Sequence, residues 1–114
     1  MNAASENPFP KGQLRVLIVE DSKIEAKLTA NLLKKSGYEV ISERVETEET
    51  MKAELDERPW DIVISDFQMP NFDGMRALLL FQMYDLDIPF ILVSGKIGEE
   101  AAVDLMKRGA HDYI

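Results

Sequence analysis

Short apolar runs alternate along the chain with longer stretches of helical periodicity. LRVLIV at 14–19 is β-branched and almost wholly apolar, the pattern of a strand buried on both faces. Asp21 and Ser22 follow it, both residues that cap helices, and Ile24, Leu28 and Leu32 then recur at the i, i+4, i+8 spacing of a helix. Lys34 and Lys35 suit its last turn and Gly37 its stop. The pattern next predicts a strand over 38–42. A polar helix over 47–58 follows, opened by Glu48 and Glu49 and closed before Pro59. WDIVIS at 60–65 reads as a third strand and 74–84 as a third helix. In that helix Leu78, Leu79, Leu80, Phe81 and Met83 are apolar nearly all round, so part of it must face outward. PFILV at 89–93 is a fourth strand, 98–108 a helix ended by Gly109, and 111–114 the start of a fifth strand.

The order βαβαβαβαβ, with short connections, implies one α/β domain: a parallel sheet with helices on both faces. It is expected to span 14–114. Residues 1–13 are polar, carry Pro8, Pro10 and Gly12, and read as a flexible leader. In such sheets the ligand sits beyond the carboxyl ends of the strands, where the strand order reverses. The residues just past each strand therefore matter most.

Glu20 and Asp21 follow the first strand, Asp66 the third and Ser94 the fourth. Each has a plain reading by itself: Asp21 as a helix cap, Asp66 as the start of a turn. Together they point to one crevice. Two like charges about 4 Å apart repel by roughly 4 kcal/mol at an effective dielectric near 20, so three gathered carboxylates call for a cation. A hard divalent ion held by few carboxylates suits Mg²⁺, which would also neutralise an incoming phosphoryl group. A carboxylate can itself be the nucleophile and form an aspartyl-phosphate.

Composition narrows the field. The 114 residues contain no cysteine, which removes disulfides and thiolate metal sites, and one histidine, His111. The net charge of −8 disfavours direct binding to nucleic acid. No apolar run approaches the roughly 20 residues of a membrane span, and the N-terminus lacks an export signal's apolar core, so a cytoplasmic location is expected. Met69 and Met75 read as packing and Lys96 as a solvated loop lysine.

The segments VLIVEDS, DIVISDFQMPNFDG, ILVSG and GAHDYI, in this order and at these separations, resemble the receiver domain of response regulators in two-component signal transduction. The resemblance runs from Leu14 to the last residue. It implies a flavodoxin-like, doubly wound five-stranded parallel sheet in the order 2-1-3-4-5. It also implies a signalling module rather than an enzyme, one that assists its own phosphorylation and dephosphorylation. Asp66 matches the phosphoacceptor. Glu20 and Asp21 match the acidic pair that holds Mg²⁺, with Asp66 and the Gln68 backbone carbonyl as further ligands. Ser94 and Tyr113 match the switch pair, and the backbone N–H groups of Phe67 and Gly95 match the donors to the phosphoryl oxygens. Pro70 and Gly74 match the loop after the phosphoacceptor. The expected partner is a sensor histidine kinase or a histidine phosphotransfer domain.

The family's lysine at the end of strand five falls two residues beyond Tyr113, and its fifth helix follows. The sequence thus reads as a domain truncated before that helix, from a parent with further domains, and prone to self-association. Two rival readings compete with it. A Mg²⁺-dependent nucleotidyl-transfer fold of the topoisomerase–primase type needs Asp-x-Asp where this chain has Asp66-Phe67-Gln68. A degenerate receiver that only binds partners is opposed by the intact Glu20, Asp21, Asp66 and Ser94.

Overall fold

Leu17, Val16 and Val19 are fully buried because the strand that carries them has a neighbour on each edge and cover on both faces. The computed structural model describes residues 13–66, 72–93 and 112–113. Its elements are β1 (Gln13–Val19), α1 (Lys23–Lys35), β2 (Glu39–Val45), α2 (Glu48–Glu57), β3 (Ile62–Asp66), α3 (Gly74–Met83), β4 (Phe90–Val93) and β5 (Asp112–Tyr113). The strands are all parallel, in the order β2-β1-β3-β4-β5. The chain moves one way from β1 to β2 and the other way to β3, so the reversal lies between the carboxyl ends of β1 and β3.

Local chemistry sets the helix boundaries. The Ser22 hydroxyl accepts from the Glu25 N–H at 3.2 Å to open α1, and Gly37, at φ 102°, takes the left-handed turn that ends it. Thr47 and Thr50 form a reciprocal capping box at α2. Asp73 caps α3 by accepting from the Arg76 N–H at 3.0 Å.

Two hydrophobic layers sandwich the sheet. On one face Leu17, Val19, Val63, Phe90 and Leu92 meet Met51 and Leu55 of α2 and Ala77, Leu78, Leu80 and Phe81 of α3. The Phe81 and Phe90 rings meet tilted at 46°, 5.2 Å between centroids. On the other face Val16, Ile18 and Ile64 meet Ala26 and Ala30 of α1. Met75 packs against the first layer, as its sequence reading had it.

Three differences from the sequence pattern have physical causes. β2 runs to Val45 rather than 42, because Glu43, Arg44 and Val45 continue the ladder onto Leu17, Ile18 and Val19. It is an edge strand, which tolerates polar side chains, so periodicity hides its end. β1 starts at Gln13, paired with Glu39. β3 starts at Ile62, because the two residues before it are committed elsewhere. The buried Trp60 indole donates to the Glu54 carbonyl at 2.9 Å. The Asp61 carboxylate accepts the Arg15 backbone N–H at 2.7 Å and its guanidinium at 3.0 and 3.2 Å, and the Asp61 N–H returns a bond to the Arg15 carbonyl.

Helical faces also sort unexpectedly. Ile24, Leu28 and Leu32 correctly mark α1, yet they are 74, 53 and 65% exposed, and the helix rests on its alanines. In α3, Leu78, Leu80 and Phe81 are buried, while Leu79 and Met83 face out as the all-round pattern required. The expected helix over 98–108 lies outside the described residues.

Candidate functional site

Past Val19 the main chain leaves the sheet, and Glu20 is fastened as it goes. Its N–H donates to the Val45 carbonyl at 2.9 Å, and its carbonyl accepts from the Arg44 guanidinium at 3.1 Å. Its carboxylate oxygen accepts from the Ser22 N–H at 3.0 Å. Asp66 closes β3, paired with Val93 on one side and one residue beyond the Ser65–Val19 pair on the other. Ser65 beneath it is fully buried, and its hydroxyl donates to the Asp66 carbonyl at 2.9 Å.

Parallel alignment of β1 and β3 thus delivers Glu20, Asp21 and Asp66 to one place. One carboxylate oxygen from each lies within 4.8 Å of the others. Glu20 and Asp66 are half-buried. The Glu20 carboxyl is pushed up to about 7. Burial is the largest cause, the Ser22 N–H opposes it, and a hydrogen bond with Asp21 and the negative charges of Asp66 and Asp21 add to it. The crevice therefore resists holding three negative charges at once. That resistance, and a donor set made only of oxygens, suits a small hard divalent cation.

The sequence placed these three residues together, and the structure does so. Phe67, Gln68, Pro70, Ser94, Gly95 and the Tyr113 side chain lie outside the described residues. Sequence reasoning missed Arg44 and Ser65. Arg44 fell in a stretch read as loop because the strand was ended at 42. The signal that would have found it is the Arg44–Val45 alternation running on toward the Thr47 cap. Ser65 offered a weaker signal, as a lone hydroxyl in an otherwise apolar run.

Residues 16–114 match the model of the response regulator receiver domain. The chemotaxis protein CheY of Listeria monocytogenes is 35% identical over 101 residues, covering 89% of this chain and 84% of its own. The two-component response regulator ARR11 of Arabidopsis thaliana is also 35% identical over 101 residues, but these are 19% of its length. A signal receiver domain of a Syntrophus aciditrophicus histidine kinase superposes with a TM-score of 0.71 at 32% identity, covering 89% of this chain and 76% of that one. CheY in a CheX–CheY–BeF3–Mg complex from Borrelia burgdorferi does so at 0.74 and 27%, covering 89% and 76%. With its fold and its family model in agreement, the chain belongs to the response regulator receiver domains, the signalling modules of two-component systems.

Proposed function

We propose that Asp66 takes a phosphoryl group from a phosphohistidine of a sensor kinase or phosphotransfer domain, in a Mg²⁺-dependent step that changes partner interactions. The single observation that carries this reading is the meeting of Glu20, Asp21 and Asp66 within 4.8 Å at the strand-order reversal. These three carboxylates, with the Gln68 carbonyl, would hold the ion. Bound there, Mg²⁺ would supply charge neutralisation for the crowded site and the incoming group. The ionised Asp66 oxygen attacks phosphorus, the P–N bond breaks, and the histidine nitrogen keeps its electron pair. The Ser65 bond to the Asp66 carbonyl holds the nucleophile's main chain while its carboxylate reacts. Ser94 and Tyr113 act as the switch pair, and the N–H groups of Phe67 and Gly95 donate to the phosphoryl oxygens. The CheY of the Borrelia complex, crystallised with BeF3 and Mg, supports the same roles here. We place the domain at 14–114, in the cytoplasm with its kinase.

The test is intact-mass spectrometry after incubation with a small phosphoramidate and Mg²⁺. One phosphoryl mass should add to the wild type and none to Asp66→Asn. Labelling that persists in the Asn variant sinks the assignment.

A further inference from the structure

We infer that Arg44 is a positioning residue for the acidic crevice: it clamps the peptide between Glu20 and Asp21 and so aims both carboxylates at Asp66. The inference rests on the metal-binding role proposed above for that crevice. Its starting point is a hydrogen-bonding problem. Glu20 is the first residue beyond the β1 ladder, whose last pair with β2 is Val19 with Val45. Its N–H still finds the Val45 carbonyl, but its own carbonyl has passed the end of β2. Arg44, level with Ile18, reaches forward toward the carboxyl ends of the strands, and its guanidinium donates to that carbonyl at 3.1 Å.

The carbonyl oxygen of Glu20 and the N–H of Asp21 belong to one rigid, planar peptide unit. Holding the oxygen therefore sets the plane from which Asp21 departs. The Ser22 N–H meanwhile holds the Glu20 carboxylate at 3.0 Å. Mutual repulsion of the three carboxylates pushes this short loop away from Asp66, and the clamp opposes that push. Arg44 also makes an ion pair with the half-exposed Glu46 at 3.3 Å, through the same Nη1 that donates to the Glu20 carbonyl. The two contacts share one nitrogen, but Glu46→Ala removes the ion pair and leaves that nitrogen the Glu20 carbonyl, so the clamp can be told apart from an ordinary surface pair.

The experiment uses the full chain as wild type, Arg44→Ala, Arg44→Lys and Glu46→Ala. Mg²⁺ is titrated calorimetrically, and amide spectra are recorded without metal. Losing one charge-assisted hydrogen bond should weaken Mg²⁺ binding about fivefold in Arg44→Ala. Arg44→Lys should recover part of the loss, and Glu46→Ala should bind as wild type does. Without metal, the Asp21 amide resonance should move in Arg44→Ala and stay in Glu46→Ala. An Arg44→Ala protein that binds Mg²⁺ like wild type overturns the clamp. So does a Glu46→Ala loss of the same size, or a lysine variant no better than alanine. If the wild type takes up no Mg²⁺, the proposed function fails instead, and the Asp21 amide alone decides whether Arg44 positions the loop.

Discussion

Glu20→Gln should make the metal-free protein more stable above neutral pH while destroying its response to Mg²⁺. Folding moves the Glu20 carboxyl from 4.5 up to about 7, chiefly by burial. Each tenfold change in proton affinity is worth about 1.4 kcal/mol, which sets a ceiling near 3 kcal/mol. Glu20 is only half-buried, so water screens most of this and about 1 kcal/mol is expected. The sign follows from linkage: between 4.5 and about 7 the folded state holds a proton that the unfolded state has released. The wild type is thus at no disadvantage below 4.5, loses stability relative to Gln as pH rises, and carries the full deficit above about 7. The Gln carbonyl oxygen can still accept the Ser22 N–H, so the comparison isolates the charge. Saturating Mg²⁺ reverses the order, because an ion at ten times its Kd adds about 1.4 kcal/mol to the wild type alone. Urea unfolding followed by Trp60 fluorescence is the assay. Trp60 is buried at the amino end of β3, the opposite end from Asp66, so it reports unfolding rather than ion binding. A Gln variant less stable than wild type at pH 8 without Mg²⁺ would refute the reasoning.

Asp61→Ala should cost about 2 kcal/mol in urea unfolding, because it takes the acceptor from the Arg15 backbone N–H at a site only 5% exposed. A loss below 1 kcal/mol would contradict that. Leu78→Ala and Leu79→Ala are neighbours with opposite outcomes. The first empties a fully buried site at about 3 kcal/mol, and the second stays within about 0.5 kcal/mol. Tyr84 is raised from 10.0 to about 12 by its 2.6 Å bond to Asp56, so ultraviolet titration should show one late tyrosine that Asp56→Asn restores to the ordinary range.

The fold was legible in the sequence wherever burial is two-sided. β1, β3 and β4 are central strands, and their short, mostly apolar, β-branched runs mark them. β2 was the hard strand, because Glu43 and Arg44 at a sheet edge look like loop while their main chain continues the ladder. α1 shows that an apolar stripe can locate a helix without identifying its buried face. Small residues such as Ala26 and Ala30 permit close approach to the sheet, and hydropathy gives them little weight. Glu20, Asp21 and Asp66 were legible from topology, since each directly follows or ends a central strand. What placed their carboxylates relative to one another was not, because it depends on hydrogen bonds from Arg44, Ser22 and Ser65 that have no sequence spacing of their own.

The Arg15–Asp61 fork has a reach beyond its own end of the sheet. β1 and β3 run in the same direction, so whatever fixes their alignment at one end fixes it at the other. The Asp61 N–H donates to the Arg15 carbonyl, and the Asp61 carboxylate accepts the Arg15 N–H and guanidinium, just before Val16 pairs with Ile62. Five residues on, about 17 Å at strand rise, the same alignment sets Glu20 level with Asp66. A slip of one residue would turn every side chain of β3 to the opposite face and carry Asp66 away from its partners. The fork is therefore the datum from which the crevice is measured, and the spacing of the acidic residues is gauged at the far end of the sheet from where they act.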